Sequence, residues 1–504
     1  MKNTVFNADV PNKGAIGDGT LPYTPQPKAT AGHRATAEDL SVLEAAFDAW
    51  RGWGDFRRRR TRNKDFTYGR QWGDLVQTDS GQWITEGEMA SKCGKEPLTN
   101  NLLRQLVKCV VGRFRKAVEK EQRKANKDFR QLCLNELDAR ALEEFLISGC
   151  CVQRIEPADT KNEPGVENVS VSRFFTNATE DVLGRDCEIV GYLHDMRVSE
   201  LILRLAAGDI AEARRIRHIY SSMDSVYSSP SIGEDAERHT SFWQAKGGKC
   251  RAIEVWTLQL AEVLHCTDFD NSQRRVLPVE RLGELEAENA RRRKDGRNEV
   301  VVNWGVEKVW HCRWFAPDGT LLSHYTSGYG GHPFVFRMFP LTDGEIHSFV
   351  EDVIDQQKYV NRLITIIDHI MNASAKGVLL FPESSLPDGF TWREIRQMWS
   401  NSNSIIPYSP DVTGAVPQQV IARNTDIGAY QLLGTQMSLI EEISGVPGVL
   451  RGHAASGTAG VKLYRSQVEN ADTALADIYE SFSFFRRERN MRMASLAHHE
   501  ASRR

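Results

Sequence analysis

The chain has no run of about 18 apolar residues anywhere in its 504, so the sequence excludes a membrane-spanning helix. Its first residues, MKNTVFNADVPNKG, lack the apolar stretch of a secretory signal. Cysteine is scarce. The nine residues are odd in number, irregularly spaced and without a C-x-x-C pair, which indicates neither a disulfide framework nor a zinc knuckle. These absences point to a protein made in a reducing cytoplasm. A basic excess is missing too: 64 Lys+Arg stand against 67 Asp+Glu, for a net charge of −3. A protein that grips DNA tightly usually carries such an excess, because each neutralised phosphate releases counterions. Tight non-specific DNA binding is therefore not the leading description, although passing contact with DNA stays open. What the chain does have is 40 % hydrophobic residues, enough to rule out wholesale disorder. Its length suggests two to four domains at roughly 100–200 residues each.

Along the chain, residues 1–35 are rich in Gly, Pro, Thr and Asn and read as a flexible arm. Thr36 or Glu38 opens a helix with Leu40, Leu43, Phe47 and Trp50 at helical spacing, which runs into the basic cluster Arg57–Arg60. Pro97-Leu98-Thr99 starts a second helix, and a third spans about 128–148 and stops at Gly149. From 150 to 195 the pattern turns to short alternating strands, and 198–220 reads as a helix. An insertion-like module follows a linker at 221–248. In it RAIEVWTLQLAEVLHC reads as two strands, VERLGELEAENARRRKDG as a charged helix and NEVVVNWGVEKVWHCRWFAPDGTLLSH as further strands, with a turn at Pro317-Asp318-Gly319.

The most informative segment is 344–376. Phe349, Val353, Gln356, Val360, Leu363, Ile367 and Ile370 alternate in steps of four and three, with a second stripe at Val350, Ile354, Ile364 and Met371. A helix over this span would be about 48 Å long at 1.5 Å per residue. Its narrow apolar face suits lengthwise packing, either inside one subunit or between subunits. Strand-like pieces, a helix at about 425–444, a Gly-rich turn and a final helix at about 459–497 complete the chain.

Tests for catalytic chemistry fail in turn. Gly452 to Thr458 has the two-glycine spacing of a phosphate loop but lacks the Lys that reaches the β- and γ-phosphates. Gly328-Tyr329-Gly330-Gly331 lacks the strand–turn–helix context of a dinucleotide site. His265-Cys266 and His311-Cys312 form an HC…HC pair, but adjacent strand residues point to opposite faces, so one strand cannot easily present both as ligands. There is no G-x-S-x-G and no H-E-x-x-H. No catalytic, cofactor or metal site is expected. The basic runs Arg57–Arg60, Arg291–Lys294 and Arg486-Arg487 read mainly as solvated faces, with contact to nucleic acid or acidic partners as the other reading.

Over roughly residues 40–490, the order of segments resembles the portal, or head-to-tail connector, proteins of tailed bacteriophages, in the branch common among short-tailed phages. Several pieces carry the likeness. Tyr68-Gly69-Arg70-Gln71-Trp72 is similar to an aromatic-Gly-x-Gln-Trp element after the first helix. Gly94 to Asn101, running into a helix that ends at Gly112, is similar to a Pro-x-Thr-x-Asn helix start. Ser148-Gly149 before a strand, Val169 to Phe175, Asp181 and Asp186, and Ala252 to Trp256 follow in the family's order. Gly344 to Asn361, with Asp355-Gln356 and Asn361, resembles the stem helix, and Ser444-Gly445-Val446 and Ser456-Gly457 the turns before the last helices. The ending at 504 departs from relatives with a larger crown and implies a minimal one or none.

The resemblance implies an α+β portal fold with a mixed α/β wing, a helical stem, an α/β clip insertion and a short helical C-terminal crown region. It divides the chain into an arm at 1–35, wing at 36–220, linker or first stem segment at 221–248, and clip at 249–337. The second stem helix follows at 338–376, then wing and channel-facing segments at 377–458 and a last helix at 459–504. The first stem helix falls either at 198–220 or just before 249. The implied role is a non-enzymatic ring, typically of twelve copies, at one vertex of the capsid in the virion, assembled in the host bacterial cytoplasm. Its partners would be the major capsid protein, the terminase large subunit, tail or neck adaptors, and double-stranded DNA passing through the channel, with no cofactor and no membrane span. The alternative is another capsid-associated head-completion or adaptor protein. For such a role Glu351, Asp352, Asp355 and Lys376 are expected at the channel or subunit seam. Phe349, Val353, Val360, Leu363, Ile367 and Ile370 would pack between neighbours in the stem. Glu284, Glu286, Arg291, Arg292, Arg293 and Lys294 would meet the motor or adaptor.

Overall fold

The computed structural model describes residues 35–122, 129–156, 165–206, 208–223, 240–245, 247–271, 273–327, 331–376, 378–400, 405–409, 416–420, 428–448, 469–470 and 473–501. The N-terminal arm through residue 34, most of the 221–248 linker and the Gly452–Thr458 and Ser456-Gly457 turns lie outside the described residues, as do Gly328 to Gly330. The chain is α+β.

One strand organises the packing. Cys150–Glu156 forms the centre of a three-stranded antiparallel sheet between Phe334–Met338 and Gly165–Asn168. Successive side chains on a strand point to opposite faces. Cys150 and Val152 accordingly enter one core, together with helix Ala37–Gly52 and a larger six-stranded sheet. Cys151 and Ile155 enter a second core, built from helices Leu102–Gln122, Phe129–Ser148, Glu351–Lys376, Ala429–Ser444 and Ala476–Ala501. Phe334 and Val335 on the neighbouring strand divide in the same way. The strand needs this two-sided burial, and its composition, CCVQRIE, meets it with small or apolar residues at most positions.

The two polar residues in its middle each meet an ionic cluster. Arg154 donates to Glu254, with Nη2 3.1 Å from Oε1, while His194 Nε2 lies 2.7 Å from Oε2 and Trp256 Nε1 donates at 2.9 Å. On the opposite face Gln153 Oε1 accepts from Arg489 at 3.1 Å, and Arg489 and Arg486 both hold Asp138. Every member of the first cluster is buried, Glu254 completely. Burial alone would raise the Glu254 carboxyl, but Arg154 and the His194 hydrogen bond hold it well below the usual carboxylate range. Sequence reading missed both clusters. Their signals are a lone acid in the apolar run AIEVW and an Asp, Asp138, on the same helix stripe as Leu134 and Leu142.

Gly149 ends the preceding helix as expected. Its φ is +74°, and a Cβ there would stand 2.8 Å from the His347 carbonyl oxygen, so only glycine lets the helix turn directly into the central strand. Other expectations change. RAIEVWTLQLAEVLHC is one strand, Cys250–Asp268, because its partner Val301–Phe315 pairs with it continuously from Ile253↔Phe315 to Thr267↔Val301. Residues 198–220 form two short helices, Val198–Leu205 and Ile210–Met223, separated near the left-handed Gly208. Leu201, Leu205, Ile216 and Tyr220 bury them in the first core. The final helix is described from Ala476 to Ala501.

The long paired strands run out of the six-stranded sheet. Beyond Leu258 and Val309 they form a ribbon with Gln273–Pro278 as a third strand. Helix Leu282–Lys294 covers its far end through a small core of Leu264, Cys266, Leu285 and Val300. The sequence placed a charged helix there, and its boundaries agree closely.

Burial pushes the His194 imidazole down to about 4. Unfolding releases an imidazole that titrates near its ordinary value of about 6.5. Between those values the unfolded chain binds the extra proton, so stability falls as pH drops from about 6.5 toward 4. H194Q should flatten the slope of unfolding free energy against pH in that window by roughly one proton's worth. Urea titrations at several pH values measure this, and an unchanged slope contradicts the assignment.

Candidate conduit and docking surfaces

The long helix runs from Glu351 to Lys376, 26 residues or about 39 Å at 1.5 Å per residue. It starts later than the periodicity predicts. Pro340–Thr342 pairs with Glu345–Ile346, and Gly344 takes φ +77°, so this stretch is a tight hairpin and not helix. Ser348 and Glu351 then exchange hydrogen bonds: the Glu351 amide donates to Ser348 Oγ at 3.2 Å and the Ser348 amide to Glu351 Oε2 at 2.9 Å. This reciprocal pair satisfies orphan donors at the helix start.

A stripe in steps of four fixes the helix against the rest of the chain. Gln357, Asn361 and Thr365 are buried and share one face. Gln357 Oε1 accepts from the amides of Leu102 and Leu103 at 2.9 and 3.3 Å, capping helix Leu102–Gln122, and its Nε2 donates to the Asn100 carbonyl at 2.7 Å. Asn361 Oδ1 accepts from the Asn100 amide at 3.0 Å, and its Nδ2 donates to Gln71 Oε1 at 2.6 Å. Thr365 Oγ1 accepts from the Leu98 amide at 3.1 Å. Gln71 in turn donates to the Phe66 carbonyl, and Trp72 Nε1 to Thr99 Oγ1. Three separate sequence motifs thus converge on one network. Alongside it, Lys358 bridges Asp74 and Glu86 at 2.7 and 3.2 Å, and Arg362 pairs with Glu86. The reading of the helix as an apolar stripe overlooked this polar one, although Gln, Asn and Thr at i, i+4 and i+8 mark it.

The expected stem residues divide. Phe349, Val353 and Val360 lie inside the second core and Leu363 is also buried, so the chain covers them itself. Their assignment to a seam between subunits is corrected accordingly. Phe349 also precedes the helix. Ile367 and Ile370 are half-buried. Among the acidic residues, Glu351 is turned inward, capping the helix and lying 3.6 Å from Arg59 and 3.3 Å from His347, so its place at the channel or seam is likewise corrected. Asp352 is exposed and meets His347 at 2.7 Å, and Asp355 is exposed one turn on. Lys376 closes the helix, and its side chain lies outside the described residues. On the ribbon helix Arg292 is occupied by buried Asp268 at 2.8 Å and by Glu288 at 2.7 Å, which corrects its role as a contact for a partner. Glu284 pairs with Arg281 and Arg293 with Glu299 on the surface, while Glu286, Arg291 and Lys294 are exposed.

The first basic run is structural. Arg60 holds Glu144 through two hydrogen bonds of 2.6 and 2.9 Å, and Arg59 donates to the Ile346 carbonyl at 2.8 Å. Arg57 stacks 3.7 Å above Trp50, and burial pushes its guanidinium down to about 10. Arg486 holds Asp138. The HC…HC pair does not converge. His311 faces Thr257 and His265 faces Asn303, eight positions apart on one strand, or roughly 27 Å at 3.4 Å per residue. Among the described residues no group of three or more His, Cys, Asp or Glu is placed to hold a metal ion. No helix among them is long and apolar enough to cross a membrane.

A family model described as phage P22-like portal protein matches residues 139–499, well over half of the chain. Comparison with curated proteins returns no match. The matched span opens within helix Phe129–Ser148 and takes in the central strand, the ribbon and the long helix.

Q357A would take the side-chain acceptor from the Leu103 amide, and the second partner from the Leu102 amide and the Asn100 carbonyl, which then keep only each other at this buried site. Each buried group left unpaired costs about 1–3 kcal/mol. D355A, on the exposed face of the same helix, should stay within about 0.5 kcal/mol of the parent. Chemical denaturation of the two variants checks the contrast, and equal stabilities would contradict the role given to the buried stripe.

Proposed function

The chain belongs to the phage P22-like portal protein family, and on that premise we propose that identical copies close into a ring at one capsid vertex. The family is a structural one and not an enzyme family. In this reading the ring has about twelve copies and forms the conduit for genome packaging and ejection. The terminase large subunit docks on it during packaging, tail or neck adaptors follow, and the major capsid protein surrounds it. The match across residues 139–499 carries the reading.

Physical features support it. A conduit has to let a duplex slide, and each firm phosphate contact would resist that. The chain carries a net charge of −3, and two acids, Asp352 and Asp355, stand exposed on the long helix. We assign these two to the channel or the subunit seam, with Lys376 near the helix end. Ile367 and Ile370, half-buried in the single chain, are the part of the stripe left for a neighbour. Exposed Tyr359, Ile366 and Met371 extend that apolar surface. The wing corresponds to 36–220 and 377–458, the clip to 249–337 with the ribbon as its free part, and the second stem segment to 338–376.

Native mass measurement of the purified full chain tests the ring. A homo-oligomer near twelve copies is expected, and a monomer at every concentration would overturn the proposal. D352K/D355K tests the channel assignment. Rings should still form, while packaging into heads slows because lysines bind phosphate; normal packaging by this variant would remove these residues from the DNA path.

A further inference from the structure

Among the described residues the projecting ribbon has two open edges. Its strands lie in the order Gln273–Pro278, Cys250–Asp268, Val301–Phe315. Near the sheet, Val301–Phe315 has a second neighbour, Leu321–Thr326, but that pairing ends at His311. Residues 301–309 therefore have no strand on their far side among the described residues. Gln273–Pro278 likewise pairs on one side only. A nine-residue open edge is a ready template for another strand.

The side chains on this edge are not those of a protected one. Trp304 is 58 % exposed, Val306 65 % and Leu260 73 %. Trp304 faces Leu264, Val306 faces Glu262 and Lys308 faces Leu260 across the pair, so the three apolar groups lie on the same face of the ribbon. Helix Leu282–Lys294 shields that face only farther out, around Leu264 and Cys266. The other edge is basic: Arg274 and Arg275 are exposed there, whereas the 301–309 edge carries Glu307 beside Lys308, and Glu262 lies next to the apolar stripe on the central strand.

Resting on the ring reading, we propose that residues 301–309 of one copy pair edge to edge with Gln273–Pro278 of the next, and that this contact sets a strand of the next copy beside Trp304 and Val306. Both edge strands run antiparallel to Cys250–Asp268, so they are parallel to each other. Rotation by a small angle about a ring axis nearly preserves strand direction, and the joined edges form a parallel pair. The two surfaces differ, so the contact is heterologous and closes only as a ring. Main-chain bonds supply affinity, and the arginine–glutamate pairing sets which edge meets which.

The test uses the full chain, with the parent measured first. Parent rings establish the ring reading, and their absence overturns that reading and this inference together. In W304K/V306K the ring fraction at fixed concentration should fall at least tenfold, with the far-ultraviolet circular dichroism of the parent retained. R274E/R275E should lower it too, and adding E262R/E307R should restore it. In a C93S/C133S background, R275C/V306C should give disulfide-linked multimers on oxidation. Parent-like rings from W304K/V306K and R274E/R275E, without cross-linking of the cysteine pair, would refute the edge contact while leaving the ring intact. Parent-like rings that lose only terminase or adaptor binding would give the stripe to that partner and refute the second-copy assignment.

Discussion

Where the long helix can lie is decided by a buried amide network. Gln357 and Asn361 supply side-chain acceptors to the amides of Asn100, Leu102 and Leu103, and Gln71 closes the circuit from a third segment. Amide side chains suit this task because each both donates and accepts. An apolar stripe would pack the helix equally well at several rotations. The polar one admits a single rotation, and it thereby determines which residues face solvent. Asp352 and Asp355 are exposed as a consequence of where Gln357 and Asn361 are buried.

A second constraint joins the helical part to the sheet part. The strand Cys150–Glu156 is shared by both cores, and the two ionic clusters lie back to back across it, Arg154 with Glu254 on one side and Gln153 with Arg489 and Asp138 on the other. Buried charges of this kind are a weak source of stability but are costly to disturb. They discriminate against any slip of the strand by one residue, since that would send Arg154 to the face holding Arg489 and leave Glu254 without its cation. The ribbon and the long helix, which carry the surfaces assigned to partners, project from this common frame.

Much of this was legible in the sequence because it depends on periodicity and turn chemistry. The helix before Gly149, the charged helix at 282–294 and the alternation of strands after 150 all announce themselves by spacing. The order of short motifs made the family resemblance readable, and three of those motifs meet at Gln71, Asn100 and Asn361. What was not legible depends on which surface meets which. The stripe from Phe349 to Leu363 has the same pattern whether its partner is the same chain or a neighbour, and only the folded chain shows it closed from within. Arg292 and Glu351 look like surface charges until Asp268 and Ser348 are brought beside them by pairing distant in sequence. The start of the long helix was misjudged because Gly344 to Ile346 fits the helical period yet forms a hairpin.

Among the described residues, the single chain leaves one ribbon edge open and the long helix partly uncovered, and lateral closure around an axis would complete both. Electron microscopy of the purified protein examines this most directly. End-on particles should appear as closed rings of identical subunits around a central hole wide enough for a DNA duplex. A field of separate globules at high protein concentration, with no rings, would contradict it.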